Sequence, residues 1–415
     1  MVSRMVTPKR PFWFYLGPAF LVSVGYMDPG NWATDIAAGS QYGYSLLWVV
    51  TLASAMAILM QILAAKLGVA TGRDLAETMR ERFSPLLSKS LFVTAAIAMM
   101  ATDLAEFLGV AIALNLLFGI PLLIAVFLTV FDVLLILWLE RYGYRIVEIV
   151  IIAFVATIGW AYVIELFLAK PDIAQVATNL FIFNPAGGDA ATLLLVMGII
   201  GATVMPHNLF LHSSQVKTRQ NGNSDPKKRI VRWAIVDTIV ALGAAWLVNA
   251  AIMIMSAAAF HSVGLLVTDI DQAYLTLVPL LGKVAAVTFA IALLASGTAS
   301  STMGTLAGQV VFMGFFNLPR VNLAVIRLGT RVLTMLPATI AILLSAKPLS
   351  LLVLSQVILS MQLPFAVIPL VRFTSDRTLM GELVNRPWVT VLAWMAAGLI
   401  VVLNMSLLVF SALGM

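Results

Sequence analysis

Long apolar runs, separated by short polar and basic segments, dominate this chain. A helix needs about 20 apolar residues to cross the hydrocarbon core of a bilayer. Runs of that order recur eleven times, at 14–34, 45–67, 91–115, 118–139, 147–168, 191–213, 233–256, 280–310, 331–346, 350–370 and 388–411. The pattern predicts an all-α polytopic membrane protein with no sizeable soluble domain. If the loops alternate sides, one side holds Arg73, Arg80, Arg82, Lys89, Arg141, Arg145, Lys217, Arg219, Lys227, Lys228, Arg229, Arg232, Arg320, Arg327, Arg372, Arg377 and Arg386. The other holds only Lys170, Lys283 and Lys347. Basic residues collect in cytoplasmic loops, so the first span is expected to start inside and the eleventh to end outside. The outer loops 170–190 and 257–279 and the inner loop 217–231 read as connections rather than domains.

Composition narrows the function. Of 415 residues, 61% are hydrophobic and 11% charged, against about 25% charged in ordinary soluble domains. The net charge of +6 lies in short loops on one side, so it reads as topology and not as a nucleic-acid surface. With no cysteine, disulfides, thiolate ligands and thiol catalysis are excluded. No nucleophile–base set appears, so an enzyme is not expected, nor a resident cofactor or an obligate protein partner. The segment GTASSTMGTLAG (297–308) lacks the lysine and spacing of a phosphate loop. Its small residues point instead to close helix packing.

Two spans carry breaks that packing does not require. The first contains Asp28, Pro29, Gly30 and Asn31; the sixth contains Met205, Pro206 and His207. Proline removes an amide donor and clashes with the preceding turn, and ionisable groups inside a membrane are costly and usually functional. Broken helices at matching places in two halves are the mark of an inverted-repeat transporter with a midplane site. The halves would be 1–169 and 170–371, with 372–415 a peripheral eleventh span.

The side chains at the breaks suit a divalent transition metal. Asp28 offers an anionic oxygen and Asn31 a neutral one, although Asn31 could instead cap the resumed helix. Met205 offers a soft thioether, which disfavours calcium and magnesium. Pro206 has no amide hydrogen to give the Ala202 carbonyl, leaving that oxygen for an ion. Gln356 in the tenth span could reach the ion or its water, while Gln362 stands before Pro364. His207 suits proton handling, and His212 either that or a polar place at the inner mouth. Asp103 and Glu106, at i and i+3, share a face of the third span and need a cation or a shared proton. Arg331 is the chosen partner, with Arg327 competing. Asn249 and Asn404 read as structural.

At these residues the chain resembles a known family. DPGN in the first span, ATDLAEF in the third, GATVMPHNLFLHSS in the sixth and SQVILSMQLPFAVIPL in the tenth are similar to the natural resistance-associated macrophage protein family, and more narrowly to its bacterial proton-dependent manganese transporters. The resemblance runs over nearly the whole chain. It implies a LeuT-like fold of two inverted five-helix repeats plus an eleventh helix, in a bacterial inner membrane. It implies co-transport of protons with Mn2+, and with Fe2+, Co2+ and Cd2+. By motif, Asp28, Asn31, the Ala202 carbonyl, Met205 and Gln356 would meet the metal, and Asp28, His207, Asp103 and Glu106 would move protons. The main rival is a sodium-coupled amino acid symporter of the same fold. A thioether and a mid-membrane acid suit that substrate poorly.

Overall fold

The structure, a computed structural model, describes residues 10–129, 131, 138, 141–142, 144–184, 189–220, 225–316, 323–344 and 347–413. Among them, eight helices are long and apolar enough to cross a membrane, and the chain is a multi-pass membrane protein. The helices are α1 (Pro18–Ser23), α2 (Pro29–Tyr42), α3 (Leu47–Thr71), α4 (Leu75–Arg82), α5 (Pro85–Phe118), α6 (Leu122–Leu128), α7 (Tyr144–Ala169), α8 (Ile173–Phe181) and α9 (Ala190–Val204). They continue as α10 (Pro206–Gln215), α11 (Lys227–Ala259), α12 (Ile270–Leu281), α13 (Lys283–Phe316), α14 (Leu323–Leu343), α15 (Pro348–Ser375), α16 (Arg377–Met380) and α17 (Pro387–Leu413).

The first and sixth expected spans are each two helices. A 3-10 turn, Val24–Met27, and Asp28 separate α1 from α2, while Met205 separates α9 from α10. The other expected spans correspond to α3, α5, α7, α11, α13, α14, α15 and α17, several of them longer than expected. Of the fourth span, residues 118–129, which include α6, and Phe131 and Trp138 are described. Arg320 and the 185–188 and 221–224 parts of the expected loops lie outside the described residues, as do the side chains of Arg145 and Arg327.

The loops 170–190 and 257–279, expected as connections, each hold a capped helix. The Asp172 carboxylate accepts the amides of Ala174 and Gln175 at the head of α8, and that of Asp269 accepts from Ile270 at the head of α12. A side-chain oxygen taking an orphan amide is the usual signal for a helix start.

The centre is polar and the rim apolar. On α7, Ile151, Ile158, Tyr162 and Glu165 are buried along one stripe, while Trp160, Val163 and Phe167 project outward. At the end bearing the basic loops, Lys217 reaches Asp74 and Glu77, each at 2.8 Å, and the Leu75 amide donates to Ser213 Oγ at 2.9 Å. This ties the end of the sixth span to α4. Burial pushes the Asp74 carboxyl up to about 6, against the opposing pull of Lys217.

Candidate functional site

Asp28 both ends the 3-10 turn and caps α2. Its extended backbone (φ −69°, ψ 165°) breaks the helix, and its Oδ1 accepts the Asn31 amide at 2.8 Å. Pro29 then occupies the first helical position, where a missing amide hydrogen costs nothing. The carbonyls freed by the unwinding are satisfied from elsewhere. Tyr26 O accepts from Asn249 Nδ2 at 2.8 Å, and Met27 O accepts from Trp32 Nε1 at 3.2 Å and from Ser296 Oγ. The break is therefore held from α11, α2 and α13 together. Asn249 is structural, as expected.

The second break is sharper. Met205 has φ 31°, a left-handed backbone that L residues other than glycine adopt rarely. Holding it costs on the order of 1–3 kcal/mol, and such strain gathers at functional sites. The Met205 sulfur lies 3.3 Å from Asn208 Nδ2.

Gln356 joins the two breaks. Its amide lies where a Cβ on Gly30 would be, and its backbone carbonyl lies where a Cβ on Gly201 would be. A second link runs from Asn208, whose amide occupies the space a Cβ on Gly25 would need. Asp28, Asn31, Ala202, Met205 and Gln356 are all within 1% of complete burial. Asp28 Oδ2, Asn31 Oδ1, Asn208 Oδ1 and Gln356 Oε1 are buried without a hydrogen-bond partner. Buried polar atoms are nearly always paired, so four orphan acceptors around two broken helices are unusual. Orphan oxygens beside a thioether provide electron pairs for a cation. Among the described residues no three His, Cys, Asp or Glu side chains gather to hold a metal. A cation held here would rely on amide, carbonyl and sulfur atoms beside a single carboxylate.

The two glycines make different demands. At Gly30 a methyl would meet only the end of a flexible glutamine, whereas at Gly201 it would meet the α15 backbone at Gln356 and Ser360. Gly201→Ala is expected to destabilise the protein by about 1–3 kcal/mol, the usual cost of overpacking. Gly30→Ala is expected to leave the melting temperature nearly unchanged while displacing Gln356 and weakening ion binding. Equal melting temperatures for the two variants would refute this contrast.

The third-span acids are paired as expected. Arg331 donates to Asp103 Oδ1 at 3.1 Å, approaches Glu106 Oε2 at 3.5 Å, bonds Ser301 Oγ, and lies 4.0 Å over the Phe107 ring. All three charged residues are buried. Gly304 makes room for them, since a Cβ there would meet both carboxylates. This is the close packing expected of the 297–308 segment. A small cavity of about 90 Å3 extends from Asp103 and Arg331 past Met99, Ala96 and Phe92, towards the start of α5.

His207 is placed against the third span: its Nδ1 and Thr102 Oγ1 are 3.1 Å apart. His212 is placed elsewhere. Its Nδ1 lies 2.9 Å from Gln61 Oε1, and the Gln61 amide donates to the Tyr26 hydroxyl beneath the first break. Gln362 Oε1 is buried without a partner, and the Ser360 carbonyl, which Pro364 leaves without its helical donor, accepts from Asn404 Nδ2 at 2.8 Å. Asn404 pairs with Ser360 across α15 and α17.

Sequence reasoning passed over Asn208, Gln61, Tyr26, Asp35, Tyr162 and Glu165. Asn208 had a readable signal, as a polar residue one turn past a broken position.

A family model described as "Natural resistance-associated macrophage protein-like" matches residues 19–410. The divalent metal cation transporter MntH of Nostoc sp. is 50% identical over 423 residues, covering 99% of this chain and 95% of the relative. The crystal structure of the Eremococcus coleocola manganese transporter superposes with a TM-score of 0.87 at 36% identity, covering 96% of this chain and 87% of that one. MhsT in complex with L-phenylalanine superposes with a TM-score of 0.62 at 15% identity, covering 93% of this chain and 98% of that one. The last likeness concerns the fold alone, which is the LeuT-like fold.

Proposed function

We propose that this chain, which belongs to the natural resistance-associated macrophage protein-like family, carries divalent transition-metal ions, chiefly Mn2+, through the membrane together with protons. Fe2+, Co2+ and Cd2+ would follow the same route. The observation that carries the reading is the meeting of orphan oxygens and the Met205 thioether at two broken helices. The names of the relatives agree with it. Asp28, Asn31, Met205, the Ala202 carbonyl and Gln356 would hold the ion.

In this mechanism the metal enters from the outer side and binds between the breaks. Asp28 meets it as a carboxylate and gives up any proton it holds. The positive charge of the ion favours proton movement towards His207 and the Asp103–Glu106 pair, whose adjoining cavity leads to the inner end of α5. Arg331 keeps that pair from needing its own cation. His212, through Gln61, would respond to movement of the first break. Alternating access follows from the inverted halves 1–169 and 170–371, with 372–415 at the periphery. An inward-negative potential favours entry of each positive charge by about 2.3 kcal/mol per 100 mV. The bacterial inner membrane, with the start of the chain inside, fits the basic loops.

Mn2+ uptake into proteoliposomes, recorded with internal pH, tests the reading. Metal entry with acidification supports symport. Entry without acidification removes the proton half, and no entry by folded protein favours an organic solute coupled to sodium.

The sulfur has its own test. Met205→Ala is expected to raise tolerance of Ca2+ and Mg2+ more than it weakens Mn2+ binding, because hard ions then lose less than soft ones by binding there. Competition binding measures it, and an unchanged order of preference would reject the sulfur filter.

A further inference from the structure

We propose that Asn208 is a positioning residue for the Met205 thioether, and that through it Asn208 sets the preference of the central site for soft cations. The inference deepens the metal-carrier reading and rests on it. Met205 is the N-cap of α10, yet its side chain makes no capping hydrogen bond. Helix starts favour Ser, Thr, Asp or Asn, whose side-chain oxygen takes an amide of the first turn. Methionine at that place, on a left-handed backbone at φ 31°, gives the helix nothing it needs. The sulfur serves another purpose, and something must aim it. A methionine side chain turns about three bonds and adapts to its surroundings. That freedom suits packing and spoils a selective ligand.

Asn208 supplies the constraint. It stands three residues beyond Met205, one turn on along the same face, and is completely buried. Its Nδ2 lies 3.3 Å from the Met205 sulfur. The opposite orientation of the amide would set oxygen lone pairs against those of sulfur, so the nitrogen belongs on that side. The amide has no room to swing away. A Cβ on Gly25 would lie 2.4 Å from Nδ2 and 3.2 Å from both Cγ and Oδ1. The amide thus rests on the 3-10 turn of the first break, three residues before Asp28, while it donates to the sulfur of the second.

A thioether sulfur has two lone pairs. The Asn208 amide takes one and leaves the other for an ion. Backbone of one break, amide and sulfur of the other break form a continuous chain of contacts, so the sulfur is placed relative to Asp28 before any ion arrives. Hydrogen bonds behind a metal ligand orient it, and losing one costs about 10- to 100-fold in affinity. Here the loss falls on soft ions, because a hard ion such as Ca2+ takes little from sulfur.

The probe is Cd2+, a soft ion whose sulfur neighbours are visible by X-ray absorption. Bound to the purified protein, it is expected to show sulfur in its first shell. Asn208→Leu nearly keeps the shape of the side chain and loses the donor. It is expected to lose that sulfur and to bind Cd2+ about 10- to 100-fold more weakly, with Ca2+ binding nearly unchanged. Gly25→Ala pushes an intact Asn208 off the sulfur and is expected to act in the same direction. It decides the matter should the leucine variant fail to fold. In a Met205→Ala background, Asn208→Leu is expected to change the Cd2+ to Ca2+ preference no further, as for residues acting through one contact. Sulfur retained beside Cd2+ in these variants, with an unaltered preference, would overturn the proposal. So would a full Asn208→Leu effect in the Met205→Ala background, since Asn208 would then act without the sulfur. A shell that keeps sulfur and loses an oxygen would make Asn208 Oδ1 itself a ligand, and overturns the positioning role too. No sulfur beside Cd2+ in the unaltered protein would instead overturn Met205 as a ligand, and the role of Asn208 with it.

Discussion

Proteoliposomes carrying Asp28→Ala are expected to take up no Mn2+ above empty vesicles, while the protein stays folded. The substitution removes the sole carboxylate among the proposed central ligands and leaves a divalent charge to face neutral atoms in a buried setting. Removing one partner of a buried charge pair costs about 3–5 kcal/mol. At 1.4 kcal/mol per tenfold change that is roughly a 100- to 4,000-fold loss of affinity. Asp28 also caps α2 through Asn31, so some loss of helix order comes with the substitution. Asp28→Asn separates the effects, because it retains the cap acceptor and removes only the charge. Both variants are expected to fail in transport, and Asn alone to keep the native melting temperature. Near-normal uptake by either would remove Asp28 from the site.

The largest stability effect is expected at Arg331. Arg331→Met leaves Asp103 and Glu106 buried together without their cation, at a cost of about 3–5 kcal/mol. The acids would recover part of this by holding protons, so the variant is expected to be least stable at high pH. Asp103→Asn combined with Glu106→Gln removes the need for the arginine. The triple variant is therefore expected to melt close to the unaltered protein. A single Arg331→Met variant that melts normally across neutral and alkaline pH would show that the pairing is not structural.

Much of this architecture was readable because the bilayer allows few solutions. Apolar run length marks the spans, and proline inside such a run marks a break, so Asp28 and Met205 stood out. The choice between Arg327 and Arg331 was not readable, since residues four apart share a helix face. The packing of α14 against α5 brings Arg331 to Asp103, while the Arg327 side chain lies outside the described residues. Asp35 and Glu165 are isolated acids in unbroken apolar sequence, and nothing local shows that both are buried. The short helices α8 and α12 did carry a signal in Asp172 and Asp269. Hydropathy overlooks it because a short helix need not carry a long apolar run. Gly201 lay in an apolar stretch like many others, and its importance comes from a backbone on another element.

That contact at Gly201 has a mechanical consequence. Backbone pressed against backbone leaves α9 and α15 no slack, so Met205, Ala202 and Gln356 belong to one jaw. Asp28 and Asn31 belong to another, which meets the first at side-chain contacts such as the pliable end of Gln356 over Gly30 and Asn208 over Gly25. The pair is expected to work as a caliper. An ion with long metal–oxygen distances, such as Ca2+ at about 2.3–2.6 Å, holds the jaws apart, and a smaller one lets them shut. Size is then judged by whether the carrier can complete its stroke as well as by affinity. Spin labels on α2 and α9 would read the gap directly, and equal gaps with Ca2+ and Mn2+ bound would rule the caliper out.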